Sequence, residues 1–130
     1  MAATKTQLKI HTSEELKNII TRYVTSLQKH IRVCKVILFG SYARGNPRRE
    51  SDIDLVVISP DFNKEPLEDL YLLSQSRAAA SWDIEALPYS LQQYEHCEPG
   101  SFLHEIIHTG VIMYDGEPTN KRRSRRTPAT

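Results

Sequence analysis

Cysteine is scarce in this sequence: Cys34 and Cys97 are the only two in 130 residues, far apart and in no Cys-x-x-Cys pair. Such usage indicates neither a disulfide framework nor a zinc knuckle, so both thiols are expected to be reduced. Long apolar runs are missing as well. The longest are Val36-Ile-Leu-Phe39 and Leu55-Val-Val-Ile58, far short of the about 20 residues that cross a bilayer. Met1 to Gln7 holds no apolar stretch of the about 7 to 15 residues that make a secretory signal. The expected setting is therefore the cytoplasm, away from membranes. Nor does one sign of charge dominate, since 17 Lys and Arg stand against 16 Asp and Glu.

What is present suits one ordinary domain, with 39% hydrophobic and 25% charged residues. A chain of this length buries roughly two-thirds of its unfolded surface and needs no disulfide or metal staples. The near-neutral total hides an asymmetry. Lys121, Arg122, Arg123, Arg125 and Arg126 crowd the last ten residues, which contain no acid. The remainder is net acidic. Residues 1–117 are expected to form the domain, and 118–130 a basic, disordered tail able to contact nucleic acid through its phosphates.

Apolar spacing predicts a helix from Thr12, with Leu16, Ile19, Ile20, Tyr23, Val24, Leu27 and Ile31 on one stripe. Strands are expected at Val33–Phe39, Asp52–Ile58, Trp82–Leu87 and Val111–Tyr114. Helices are expected at Pro66–Ala80, Ser90–Tyr94 and Ser101–His108. The order indicates an α/β or α+β architecture with a sheet of about four strands.

The chemistry concentrates between the first two strands. Asp52 and Asp54 are two apart in a strand, so they share a face while Ile53 and Leu55 enter the core. Two carboxylates that close repel, and a hard divalent cation relieves the repulsion; oxygen-only donors favour Mg²⁺ or Mn²⁺ over Zn²⁺. Asp83 and Glu85 repeat the spacing on the third strand. Three carboxylates on adjacent strands suit a pair of metal ions of the kind that assists phosphoryl-type displacement. Gly40-Ser41 ends the first strand, where a missing Cβ and a hydroxyl suit an anion, with a helical turn behind them. Arg44, Arg48 and Arg49 add positive charge for a triphosphate.

Phe39-Gly40-Ser41-Tyr42-Ala43-Arg44-Gly45, the gap to Asp52, and Asp52-Ile53-Asp54-Leu55 resemble the signature of the DNA-polymerase-β-like nucleotidyltransferase superfamily. The resemblance runs from about Val33 to Gly116 and is greatest to its short members, the minimal nucleotidyltransferases. It implies a nucleotidyltransferase fold with a small mixed sheet, and transfer of a nucleoside monophosphate, AMP from ATP by preference, with release of pyrophosphate. It further implies that Gly40 and Ser41 bind the nucleotide phosphates, that Asp52 and Asp54 hold Mg²⁺, and that a third carboxylate completes the site. Glu85-Ala-Leu-Pro-Tyr-Ser-Leu-Gln-Gln-Tyr94 is similar to the family segment that carries that carboxylate. This favours Glu85 as ligand or base and leaves Asp83 as the alternative. The family residue is commonly Asp, so Glu85 is a departure. Such proteins resemble the antitoxin half of a pair with a HEPN ribonuclease, whose tyrosine they adenylylate; a non-catalytic binding partner with the same fold is the other reading.

One competing motif is His104-Glu105-Ile106-Ile107-His108, the H-E-x-x-H form of zinc hydrolases. The longer metzincin form requires Gly and His where this chain has Val111 and Tyr114. A structural helix is the expectation here. Trp82, Tyr71, Tyr89 and Tyr94 are expected in the core, and His11, His30 and His96 in surface or packing roles.

Overall fold

The computed structural model describes residues 10–116. Helix α1 (Ser13–Leu27) opens with a reciprocal cap in which Thr12 Oγ1 accepts from Glu15 N–H and Glu15 Oε1 accepts from Thr12 N–H. Its stripe of Leu16, Ile19, Ile20, Tyr23, Val24 and Leu27 is buried as the spacing predicts. The helix stops before Ile31, which is only partly buried. Tyr23 donates from its buried hydroxyl to the Leu73 carbonyl at 2.7 Å, tying α1 to α3 (Pro66–Gln75).

Four strands form one mixed sheet in the order β3-β2-β1-β4: β1 Lys35–Phe39, β2 Ile53–Ser59, β3 Ile84–Ser90 and β4 Val111–Asp115. β1 runs antiparallel to both β2 and β4, while β2 and β3 are parallel. Alternation divides the strand residues between two cores. Val36, Leu38, Ile53, Leu55, Val57 and Ile84 pack under α1 and α3. Ile37, Val56 and Ile58 face the other way, with Leu103 and Ile106 of α5 (Phe102–Thr109). One turn, α2 (Ser41–Arg44), follows β1, and a short α4 (Leu91–Glu95) follows β3.

Three expectations shift. The third strand starts at Ile84, because Trp82 and Asp83 lie in a turn, and continues to Ser90, which also caps α4. Trp82 is 60% exposed with the Arg77 guanidinium 5.2 Å from its ring centroid, and Tyr71 is 68% exposed. Neither is a core residue. Helix α3 is shorter than the spacing predicts and gives way to a 3-10 turn at Ser76–Ala79. It buries Leu73 and Asp69 and turns Leu67, Leu70 and Tyr71 outward. Tyr89 and Tyr94 do pack against the second core.

Pro88 lies within β3 at no cost to the ladder. The Asp83 carbonyl accepts from Ile53 N–H at 2.8 Å, so strand alternation turns the main-chain groups of Glu85, Leu87 and Tyr89 toward β2. Those of Ile84, Ala86 and Pro88 face the open edge, where no N–H is required.

Candidate active site

The sheet brings residues from three segments to one end of its α4/α5 face. Asp54 is registered against Phe39, the last residue of β1, on one side and against Glu85 of β3 on the other. Asp52 lies two residues back, just outside the strand, and is exposed like Glu85. Asp54 is half-buried, and its carboxyl is pushed above the ordinary carboxylate range. Burial is the largest cause; the negative charges of Asp52 and Glu85 add to it, while Arg44 opposes it. Three acids and Arg44 thus act on one another at this end of the sheet.

Gly40 is shaped around the same carboxylate. Its φ is +79°, in the region that favours glycine, and a Cβ here would collide with Asp54 Oδ2. Ser41 follows, and its Oγ donates to Ser51 Oγ at 3.0 Å. Ser51 Oγ also accepts from Arg48 N–H at 2.8 Å, and Ser51 N–H donates back to the Arg48 carbonyl. The side chains of Arg44, Arg48 and Arg49 are exposed.

Asp83 is engaged elsewhere. Its Oδ2 lies 3.0 Å from His11 Nε2, and its Oδ1 accepts from Ser81 Oγ. His11 N–H donates to the Tyr42 hydroxyl at 3.0 Å. The segment ahead of α1 is thereby tied to both the α2 turn and the start of β3. Sequence spacing did not disclose this role of His11, because its partners are distant in the chain. Ser51 has near partners, Arg48 and Ser41, but a loop carries no periodicity to mark them; its place directly before Asp52 is the one signal in the sequence.

Among the described residues, no three His, Cys, Asp or Glu side chains are gathered closely enough to form a ready-made metal cage. The fit to a divalent cation lies in donor chemistry: oxygen-only ligands and a carboxyl whose ionised form is only partly offset by Arg44. The H-E-x-x-H helix fits zinc poorly. His104 Nδ1 accepts from Gly100 N–H at 3.2 Å, so one ring nitrogen of this imidazole is already engaged. His108 contacts the His104 carbonyl through Nδ1, which leaves its Nε2 open, but no third His, Cys, Asp or Glu among the described residues joins the pair.

Residues 14–119 match the family model "Polymerase beta, Nucleotidyltransferase". The chain belongs to this family. Over 97 residues this nucleotidyltransferase is 46% identical to a Methanocaldococcus jannaschii protein named as a candidate protein adenylyltransferase, a match covering 73% of this chain and 94% of the relative. Protein adenylyltransferase MntA of Thermococcus cleftensis is 36% identical over 55 residues, 42% of this chain and 52% of that protein. Among solved structures, a candidate nucleotidyltransferase of Sulfolobus solfataricus aligns with a TM-score of 0.53 at 17% identity over 78% of each chain. A toxin-antitoxin structure with AMP-PNP aligns with a TM-score of 0.53 at 22% identity, covering 78% of this chain and 74% of that one. These two share the fold of this nucleotidyltransferase. Among the described residues, no helix is long and apolar enough to cross a membrane.

Proposed function

We infer that this nucleotidyltransferase moves AMP from ATP to a hydroxyl of a partner protein, the acceptor being a tyrosine of a HEPN-type toxin. The observation that carries the reading is the Asp54–Glu85 register beside a Gly40-Ser41 turn that leaves room for the Asp54 carboxylate. The choice of AMP and of a protein acceptor is supported by the names of the relatives. A toxin partner is supported by the toxin-antitoxin neighbour.

Asp52, Asp54 and Glu85 would hold the divalent cations, Mg²⁺ or Mn²⁺ and two in number. Bound there, such ions neutralise the carboxylates and polarise the phosphoryl group. The Gly40 backbone and the Ser41 hydroxyl grip the phosphates, and Arg44 and Arg48 offset charge on the departing pyrophosphate. Glu85 accepts the acceptor hydroxyl's proton as the new oxygen–phosphorus bond forms and the bond to pyrophosphate breaks. Asp83, held by His11 and Ser81, supports the strand rather than the reaction.

Incubation with labelled ATP, Mg²⁺ and cell lysate tests the reading. Wild type should label a protein, and the Asp52→Asn/Asp54→Asn variant should not. Absence of Mg²⁺-dependent labelling by wild type, with partner binding intact in the variant, would instead establish a non-catalytic binder. Lys121, Arg122, Arg123, Arg125 and Arg126 lie outside the described residues. Their contribution to nucleic-acid or acidic-partner contact is tested by deleting 121–130, which should weaken that association and flatten its salt dependence.

A further inference from the structure

The loop that joins the phosphate turn to the carboxylate strand is closed by one hydroxyl. Ser51 Oγ receives the Ser41 hydroxyl at 3.0 Å and the Arg48 N–H at 2.8 Å, and Ser51 is followed directly by Asp52. Two incoming donors occupy the two lone pairs of this oxygen. Its own proton is claimed by no acceptor among the described residues. We propose that Ser51 is a positioning residue for nucleotide binding: its free proton lets the Ser41–Ser51 hydrogen bond reverse direction, so that Ser41 turns its own proton onto a phosphate oxygen.

The reversal requires no movement of heavy atoms. Oxygens 3.0 Å apart accommodate the shared proton in either direction; while Ser41 is the donor, it has no proton left for a phosphate. An arriving phosphate attracts the Ser41 proton, because hydrogen bonds to charged acceptors are the stronger ones. Ser51 then donates to the lone pair that Ser41 exposes, and Ser41 keeps its rotamer in both states. Without the Ser51 hydroxyl, Ser41 Oγ loses the partner that holds it in place. The ten-residue loop would also lose the bond that fixes Arg48, a second phosphate-directed residue, so the test must separate the two effects.

This inference rests on the reading of Gly40-Ser41 as the phosphate grip. ATP affinity is measured by calorimetry with Mg²⁺ for wild type, Ser41→Ala, Ser51→Ala, the double variant and Ser51→Thr, with a thermal melt of each. Ser51→Ala should weaken ATP binding about tenfold, because Ser41 Oγ is no longer held in place to donate to the phosphate. In the Ser41→Ala background the same change should add less than about twofold. Ser51→Thr, which keeps a hydroxyl, should restore affinity to within about threefold. An equal loss in both backgrounds would overturn the proposal, because Ser51 would then act through loop shape and Arg48 alone. Wild-type affinity in Ser51→Ala, alongside weak binding by Ser41→Ala, would overturn it too while leaving the phosphate grip intact. If Ser41→Ala binds ATP as wild type does, the underlying reading of the turn fails instead. Should Ser51→Ala melt too low to assay, Ser51→Thr against Ser41→Ala still decides, since a Thr variant that binds weakly without a lowered melting point contradicts the hydroxyl role.

Discussion

Asp54 is disfavoured as an anion twice over, by its partial burial and by the charges of Asp52 and Glu85, with Arg44 alone opposing. A carboxyl whose folded pKa is raised binds its proton more tightly in the native state than in the unfolded one. Stability therefore falls as pH rises from the ordinary value of 3.8 through the raised one, and stays reduced above it. Asp54→Asn removes this cost. In EDTA its melting temperature should exceed that of wild type at neutral pH, and the advantage should vanish below about pH 3.8. Magnesium reverses the ranking: at about ten times its dissociation constant it should add about 1.4 kcal/mol to wild type, or roughly 3 to 6 °C, and little to the variant. Gly40→Ala tests the same carboxylate from the other side. Strain at positive φ and the collision with Asp54 Oδ2 should cost about 1 to 3 kcal/mol in a thermal melt. Nucleotidyl transfer should fall at least about tenfold. At this scale the sequence was legible where proximity follows chain spacing: Asp52 lies just outside the strand expected to include it, yet close enough for its charge to act on Asp54. Contacts that depend on loop closure, such as Ser41 with Ser51 or His11 with Asp83, leave no periodic trace.

Elements were legible in proportion to how one-sided their apolar pattern is. Helix α1 presents one stripe and one cap, and both appear where the spacing predicts. Helix α3 offers apolar side chains nearly all round, at Leu67, Leu70, Tyr71, Leu72 and Leu73, so periodicity alone could not say which face the sheet takes. Packing decides it through Leu73, which lies against Tyr23 and the first core. The start of β3 slipped for a related reason. Trp82 is a good strand former by type, but the turn before the strand stacks it on Arg77 in solvent. The cap of α1 makes an element-scale prediction. Thr12→Ala deletes the acceptor for Glu15 N–H and should lower stability by about 1 kcal/mol in chemical denaturation, with the denaturant slope unchanged. Because His11 adjoins that cap and holds Asp83, the loss should be partly shared by the start of β3.

For the molecule as a whole, the sheet order determines what the site can be. The acids meet only because β2 and β3 are parallel neighbours joined by a crossover through α3, so the site draws on segments from Gly40 to Glu85. The class followed from the order of elements and the mixed sheet from the family resemblance, whereas the pairing of β1 between β2 and β4 needed the structure. The same order leaves β3 and β4 as the two rims, and an open rim is a template on which a foreign strand can grow. At β3, Pro88 withholds a donor from any such strand, and Glu85 adds charge beside it. β4 presents Val111 at 44% and Ile112 at 53% exposure without a proline, and its one charge, Asp115, lies at the far end of the strand, paired with Lys35. Heat-induced aggregation is therefore expected to seed from β4, and Ile112→Lys should delay its onset in light scattering while a charge added to β3 should not. The rim that bears Glu85 is the one kept clear of stray chains.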